Sequence, residues 1–168
     1  AIAELECGHM QGIQQGLVLT FGTGVGGGII LNGEIYKGHH LIAGEVSVIY
    51  SKDPKQYQSK GLFGAIGSIY NLVDKIAKAK NSETHDGKEV FNWIGAGDKM
   101  SQQIFKDYCD EVVLELHNIQ CLLDPERICI GGGISENPLF IAGLQRASDE
   151  FYQRFPIAFP HAEIVKCQ

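Results

Sequence analysis

Positive charge is scarce in this sequence: 14 Lys and Arg stand against 20 Asp and Glu, a formal net charge of −6. A surface that grips nucleic acid needs clustered cations to neutralise phosphates, so no nucleic-acid contact is expected through this chain. Cysteine is sparse and unpatterned. Five residues (Cys7, Cys109, Cys121, Cys129, Cys167) are scattered without any C-x-x-C pair, and the six histidines are dispersed apart from His39-His40. That distribution gives neither a disulfide framework nor a zinc site at ligand spacing. Free thiols in a reducing cytoplasm are expected, with Cys121 and Cys129 serving as small hydrophobes inside apolar runs. No apolar run is long enough to span a bilayer and the start does not read as a signal peptide, so no membrane partner is expected. The first residue is Ala rather than Met, as in a piece of something longer.

What is present fits one domain with a substantial core: 168 residues, 44% hydrophobic and 20% charged. Residues 1–10 read as the tail of a helix ending near Gly8. "GLVLTF" (16–21) is a buried-strand type of run, and "IIL" and "EIY" flank Asn32-Gly33, the strongest short hairpin signal. "EVSVIY" (45–50) alternates as a further strand, and "SKDPKQYQSKG" after it reads as a surface loop. A helix is predicted over 62–79, with Leu62, Ile66, Ile69, Leu72, Val73 and Ile76 on one face. A short amphipathic piece is expected near 90–94. The longest helix is predicted over 102–123, capped by Ser101 and stopped at Asp124-Pro125. "RICI" is a buried strand, Ser135 is expected to cap a last helix with Pro138 in its first turn, and "AEIVKC" closes the chain as a strand. The order predicts a mixed α/β layer with a sheet covered by helices. The apolar face of 102–123 is compatible with burial on the sheet or with a homodimer face. His117 reads as a satisfied mid-helix histidine and Trp93 as a local anchor.

The densest local signal is "FGTGVGGG", with five glycines among residues 22–28. Gly22, Gly24 and Gly27 satisfy G-x-G-x-x-G, yet a dinucleotide loop must lead from a strand into a helix, and here it leads into a hairpin. A Walker loop fails for want of Gly-Lys-Ser/Thr. What remains is a strand-turn-strand whose amides can approach a phosphate with no Cβ in the way, Thr23 adding a hydroxyl. The bland alternative is a bend needed for tight packing. Each glycine weakens a strand by roughly 0.5–1 kcal/mol, and that loss favours a ligand or a close backbone approach. "ICIGGGISENP" puts Gly131, Gly132 and Gly133 between a strand and a helix. Alone this is equally a plain strand-to-helix turn; together the two clusters suggest one ligand with a phosphate end and a base end.

"LTFGTGVGGGIILNGEIYKGHHLIAGE" resembles the phosphate-binding hairpin of ROK-family sugar kinases and repressors, G-T-G-x-G-G-G followed by A-G-E. "GDKMSQQIFKDYCDEVVLELHNIQCLLDPERICIGGGIS" is similar to that family's long helix, Asp-Pro break and adenosine motif. The resemblance covers nearly the whole chain. It implies an actin-like ATPase (ribonuclease H-like) lobe, a mixed sheet with a β-hairpin phosphate motif flanked by helices. It further implies transfer of the γ-phosphoryl of ATP, with Mg²⁺, to a hexose or β-glucoside hydroxyl. By that resemblance Gly22, Thr23, Gly24 and Gly26 would contact phosphates, Gly131, Gly132 and Gly133 would flank the adenosine, and Glu45 would hydrogen-bond the sugar.

The departures from the family pattern carry expectations of their own. Val48 stands where the family often has a zinc-ligating His, and the residues after it contain no Cys, so this is similar to the zinc-free branch that includes β-glucoside kinases. The family's Asp-x-Gly-Gly-Thr loop, its catalytic Asp and its final helix are absent, which implies that residues 1–168 are the second, C-terminal lobe. No catalytic residue is expected in the chain itself, the general-base Asp lying upstream, and the isolated lobe is expected to be inactive. The competing implication is the effector-binding lobe of a sugar-responsive ROK repressor.

Overall fold

The computed structural model describes all 168 residues, Ala1–Gln168. Its sheet is built outward from β1 (Gln15–Phe21), whose apolar run is buried on both faces. β2 (Val25–Leu31) and β3 (Glu34–Tyr36) fold back antiparallel, while β4 (Arg127–Gly131) and β5 (Glu163–Lys166) run parallel to β1, giving the order β3-β2-β1-β4-β5. Asn32 at φ 55° and Gly33 at φ 75° make the β2–β3 turn, both in the left-handed region that a two-residue hairpin turn requires.

Strand alternation sends Leu17, Leu19 and Phe21 to one face, beneath α4 (Ile69–Ala79), α5 (Gly87–Gly95), α6 (Lys99–Leu123) and α7 (Pro138–Gln153). Phe21 meets Phe140 edge-on at 5.4 Å, and Phe91 meets Phe105 in the same way at 5.4 Å. The stripe Phe105, Cys109, Val112, Leu116 and Ile119 of α6 lies in this core, so the longest helix is buried on the sheet side. α7 approaches closely at Gly143, where a Cβ would come 2.7 Å from the Phe105 ring. The opposite face, carrying Val18, Ile30 and Cys129, is covered by α1 (Ile2–Cys7) through Leu5 and by Met10 and Ile13 of the segment after it. No helix is long and apolar enough to cross a membrane.

The structure corrects five expectations. Residues 45–50 are not a strand but a 3₁₀ turn, Val46–Val48. Gly44 at φ 92° swings the chain across β2, Val46 plugs the core and Val48 is left exposed, so the alternation never meets a sheet edge. The loop after it holds α2 (Pro54–Tyr57), capped by Asp53. The single helix predicted over 62–79 is two, α3 (Phe63–Ile66) and α4, broken at Gly67-Ser68. A Cβ on Gly67 would stand 2.5 Å from Val25, and the Ser68 hydroxyl accepts from the Asn71 amide to start α4.

The last two corrections concern helix caps. α6 is capped by Asp98, whose carboxylate accepts from both the amide (2.9 Å) and the hydroxyl (2.7 Å) of Ser101. Asp98 also accepts from Lys80 at 2.8 Å, and that bond, with those from Ser101, holds its carboxyl far below the usual range. A depressed carboxylate stabilises above its unfolded pKa near 3.9 and loses that contribution as pH falls through its folded value. α7 is capped by Asn137, which accepts from the Leu139 amide at 3.0 Å, whereas Ser135 belongs to the 3₁₀ turn Gly133–Glu136.

The α3–α4 break is anchored from the core. The Tyr108 hydroxyl, buried in α6, donates to the Gly67 carbonyl at 2.9 Å. Tyr108→Phe leaves that carbonyl without its partner, with an expected loss of about 1–3 kcal/mol in urea denaturation.

Candidate functional site

β1 and β4 lie side by side and parallel, Thr20 opposite Gly131, so the loops that leave the two strands emerge at the same end of the sheet. The carboxyl ends of parallel strands are where open α/β sheets bind ligands. After β1 the chain makes a three-residue turn, Gly22-Thr23-Gly24, closed by the Phe21–Val25 pair. After β4 come Gly132 and Gly133. The two segments touch: Gly132 has φ 93°, and a Cβ there would collide with the Phe21 carbonyl oxygen and lie 3.0 Å from its nitrogen. Only glycine can take that position. The two glycine clusters therefore form one surface.

Within the turn, the Gly22 amide donates to the Gly24 carbonyl at 3.0 Å, while the amides of Thr23, Gly24 and Gly132 donate to no backbone carbonyl. Gly22 and Thr23 are exposed, and nothing lies within 4 Å of the space that a Cβ would take at Gly22 or Gly133. Gly26 faces Thr20 across the ladder, where a Cβ would come 2.6 Å from the Thr20 hydroxyl. Gly131 is different: it is buried, and its missing Cβ makes room for the Cys167 sulfur.

Two features of this surface escape a reading of the sequence alone. The first is the start of α4. The Ile69 amide donates to the Gly22 carbonyl at 2.8 Å, which sets the positive end of an 11-residue helix against the turn. A helix N-terminus does serve the glycine loop, then, but it arrives from distant sequence. The signal was Gly67-Ser68, a breaker followed by a capping residue inside an otherwise periodic helix. The second is the seat of Glu45. Gly27 and Gly44 meet backbone to backbone, a Cβ on Gly27 colliding with the Gly44 carbonyl oxygen. Val46 packs beneath, and Glu45 is held exposed at the head of the 3₁₀ turn. His39 and His40 pack edge-on at 4.6 Å, both exposed.

The arrangement offers unpaired amides, a hydroxyl and a helix dipole, all suited to an anion. It offers no proton acceptor, since Gly22, Thr23, Gly24, Gly26 and Gly131–Gly133 carry no titratable side chain. Elsewhere on the chain a cleft of about 630 Å³ separates α5, α6 and α7, with Lys99, Lys106 and Arg146 on its walls. Its Lys106 already pairs with Asp110 at 2.8 Å and Glu150 at 3.2 Å.

Comparison with known proteins bears on what the site serves. The sequence model of the ROK family matches residues 1–167. A β-glucoside kinase of Listeria monocytogenes is 33% identical over 153 residues, a match covering 89% of this chain and 52% of that protein. Among solved structures, a ROK family protein from Streptococcus pneumoniae in complex with sucrose superposes with a TM-score of 0.86 at 26% identity, covering 99% of this chain and 57% of that one. A ROK family glucokinase from Streptomyces griseus in complex with glucose and AMPPNP superposes with a TM-score of 0.83 at 24% identity, covering 99% of this chain and 59% of that one. The fold is that of the actin-like ATPases, to which ROK sugar kinases belong. The chain spans about half the length of the relatives it matches.

Proposed function

Because this chain belongs to the ROK family, we propose that it is the nucleotide-binding, C-terminal lobe of a two-lobed kinase that transfers the γ-phosphoryl of ATP to a hexose or β-glucoside hydroxyl. The observation that carries the reading is the joined glycine surface with its unpaired amides. The Thr23 and Gly24 amides and the Thr23 hydroxyl would donate to phosphate oxygens, the α4 dipole adding to the same field. Gly22, its own amide engaged, would contribute space, and Gly26 an open approach along the exposed ladder. Gly131, Gly132 and Gly133 would flank the adenosine, and Glu45 would hold a sugar hydroxyl.

Phosphoryl transfer asks little covalent chemistry of the protein and much positioning and charge stabilisation, which a rigid hairpin suits. Mg²⁺ would supply charge neutralisation on the phosphates. The turn carries no carboxylate, so any protein ligand to Mg²⁺ lies outside it. The general base that takes the sugar proton would come from the other lobe, as an Asp upstream of residue 1. Closure of the lobes would exclude water and protect ATP from hydrolysis.

The 168-residue chain is accordingly expected to bind ADP and to show no ATP-dependent sugar phosphorylation in a coupled assay. In the full-length protein, Thr23→Ala should weaken ATP binding by roughly 10- to 100-fold, as for one hydrogen bond to a charged group. Unchanged ATP affinity in that variant would remove Thr23 from the phosphate contacts, whereas sugar-binding without nucleotide-binding in the full-length protein would instead favour a repressor.

A further inference from the structure

On the sheet face turned away from the helices, three side chains from remote parts of the sequence converge: Glu4 of α1, Cys129 of β4 and Cys167 just past β5. Their carboxylate oxygen and two sulfurs all lie within 4.8 Å of one another. Cys129 is fully buried and Glu4 is 6% exposed, with Cys167 half-buried at the rim. Glu4 is the odd member. It takes part in no ion pair with a side chain; its carboxylate accepts two amides, from His9 at 3.1 Å and Gln168 at 3.0 Å, with the Cys167 thiol beside it. A carboxylate sunk to that depth without a cation is costly unless a charge of opposite sign joins it.

The donor set narrows the class of partner. Two thiols and one carboxylate suit a borderline-soft divalent ion that accepts tetrahedral geometry, zinc above all, rather than Mg²⁺ or Ca²⁺. Tetrahedral bonds of about 2.3 Å to sulfur and 2.0–2.2 Å to oxygen place ligand atoms about 3.5–3.8 Å apart, within reach of the spacing seen here. The two amides already orient the carboxylate, as outer partners of a metal ligand do. Room for Cys167 exists because residue 131 is glycine: a Cβ there would lie 3.0 Å from the Cys167 sulfur. A disulfide fits less well. Cys129 is paired with Val165, two residues short of Cys167. That diagonal offset between adjacent strands sets the two Cα atoms about 8 Å apart, beyond ordinary disulfide reach.

We propose that Glu4, Cys129 and Cys167 hold one zinc-class cation, water completing the fourth position. The expectation of no zinc rested on the segment around Val48 and on the lack of ligand spacing in the sequence, and neither bears on three ligands that meet from residues 4, 129 and 167. The site would tie the N-terminal helix and the last strand to β4 directly beneath the nucleotide-facing glycines.

The test is a titration of the reduced full chain with Co²⁺ alone, without oxygen, followed by the thiolate-to-cobalt charge-transfer absorption. Saturation at one equivalent and displacement by Zn²⁺ are expected. Glu4→Gln should weaken Co²⁺ binding at least tenfold. Cys167→Ser should remove the band, and Cys121→Ser should leave it intact. Because Cys129→Ser alters a buried position, the half-buried Cys167 carries the decision. A folded, reduced chain with no band, a band that survives Cys167→Ser, or loss of two free thiols to a disulfide in place of metal uptake would overturn the proposal.

Discussion

Gly132→Ala is expected to unfold the chain at markedly lower urea concentration and to remove ADP binding, whereas Gly133→Ala, one residue on, should leave stability within about 0.5 kcal/mol. The difference comes from what surrounds each position. At Gly132 the backbone is at φ 93°, where an L-residue is strained, and the new methyl meets the backbone oxygen and nitrogen of Phe21 rather than a side chain that could rotate away. Strain and collision together should lower stability by roughly 3 kcal/mol or more. Relief requires the turn at Gly22–Gly24 to part from the loop after β4, which separates the two halves of the surface proposed to hold phosphate and adenosine. At Gly133 nothing lies within 4 Å of the added atom, and φ is not positive. Equal losses for the two variants in urea denaturation and calorimetric ADP titration would mean that the clusters do not act as one surface.

The second large effect concerns Gly27→Val in the full-length protein, assayed for the proposed sugar phosphorylation. The valine Cβ would displace the Gly44 carbonyl, and with it the segment that presents Glu45. Misplacing a substrate-positioning group by about 1 Å can cost on the order of a hundredfold in rate, so kcat/KM for sugar is expected to fall by about that factor. Glu45→Gln should act on the same step through the side chain alone, raising KM for sugar while ATP affinity holds. Gly22→Ala is the counterpart: the open space at that residue predicts normal folding, with weaker ATP binding because a methyl now stands in the anion's approach. If Gly27→Val and Glu45→Gln both spared sugar phosphorylation, Glu45 would have no part in holding the sugar.

Much of this fold was legible because local chemistry and tertiary need agreed. Asn32-Gly33 admits few structures other than a hairpin turn, and "GLVLTF" and "RICI" are apolar runs of strand length bounded by turn residues, as buried strands are. The long helix declared itself through an apolar stripe and its stop at Asp124-Pro125. Two of the failures turned on a close approach between segments distant in sequence. "EVSVIY" alternates like a strand, yet Gly44 crossing Gly27 commits Val46 to the core before any edge is reached. The break between α3 and α4 exists because Gly67 must clear Val25, a β2 residue more than forty positions away. Asp98 and Asn137 displaced Ser101 and Ser135 as caps. Any of these residue types caps well, and the choice depended on where the preceding turn delivered the chain. The glycines of the site were visible in the sequence; that Gly131 serves a sulfur, Gly132 a neighbouring carbonyl and Gly22 open space was not.

The central claim is that the unpaired amides around Thr23 receive the phosphates of a nucleotide. Amide-resolved NMR of the 168-residue chain during titration with ADP, repeated with adenosine, tests it most directly. The account predicts saturable shifts of the Thr23 and Gly24 amides with ADP that adenosine does not reproduce, accompanied by Gly132 with both ligands. Shifts confined to the α5–α6–α7 cleft, with the turn amides unmoved at saturation, would contradict it.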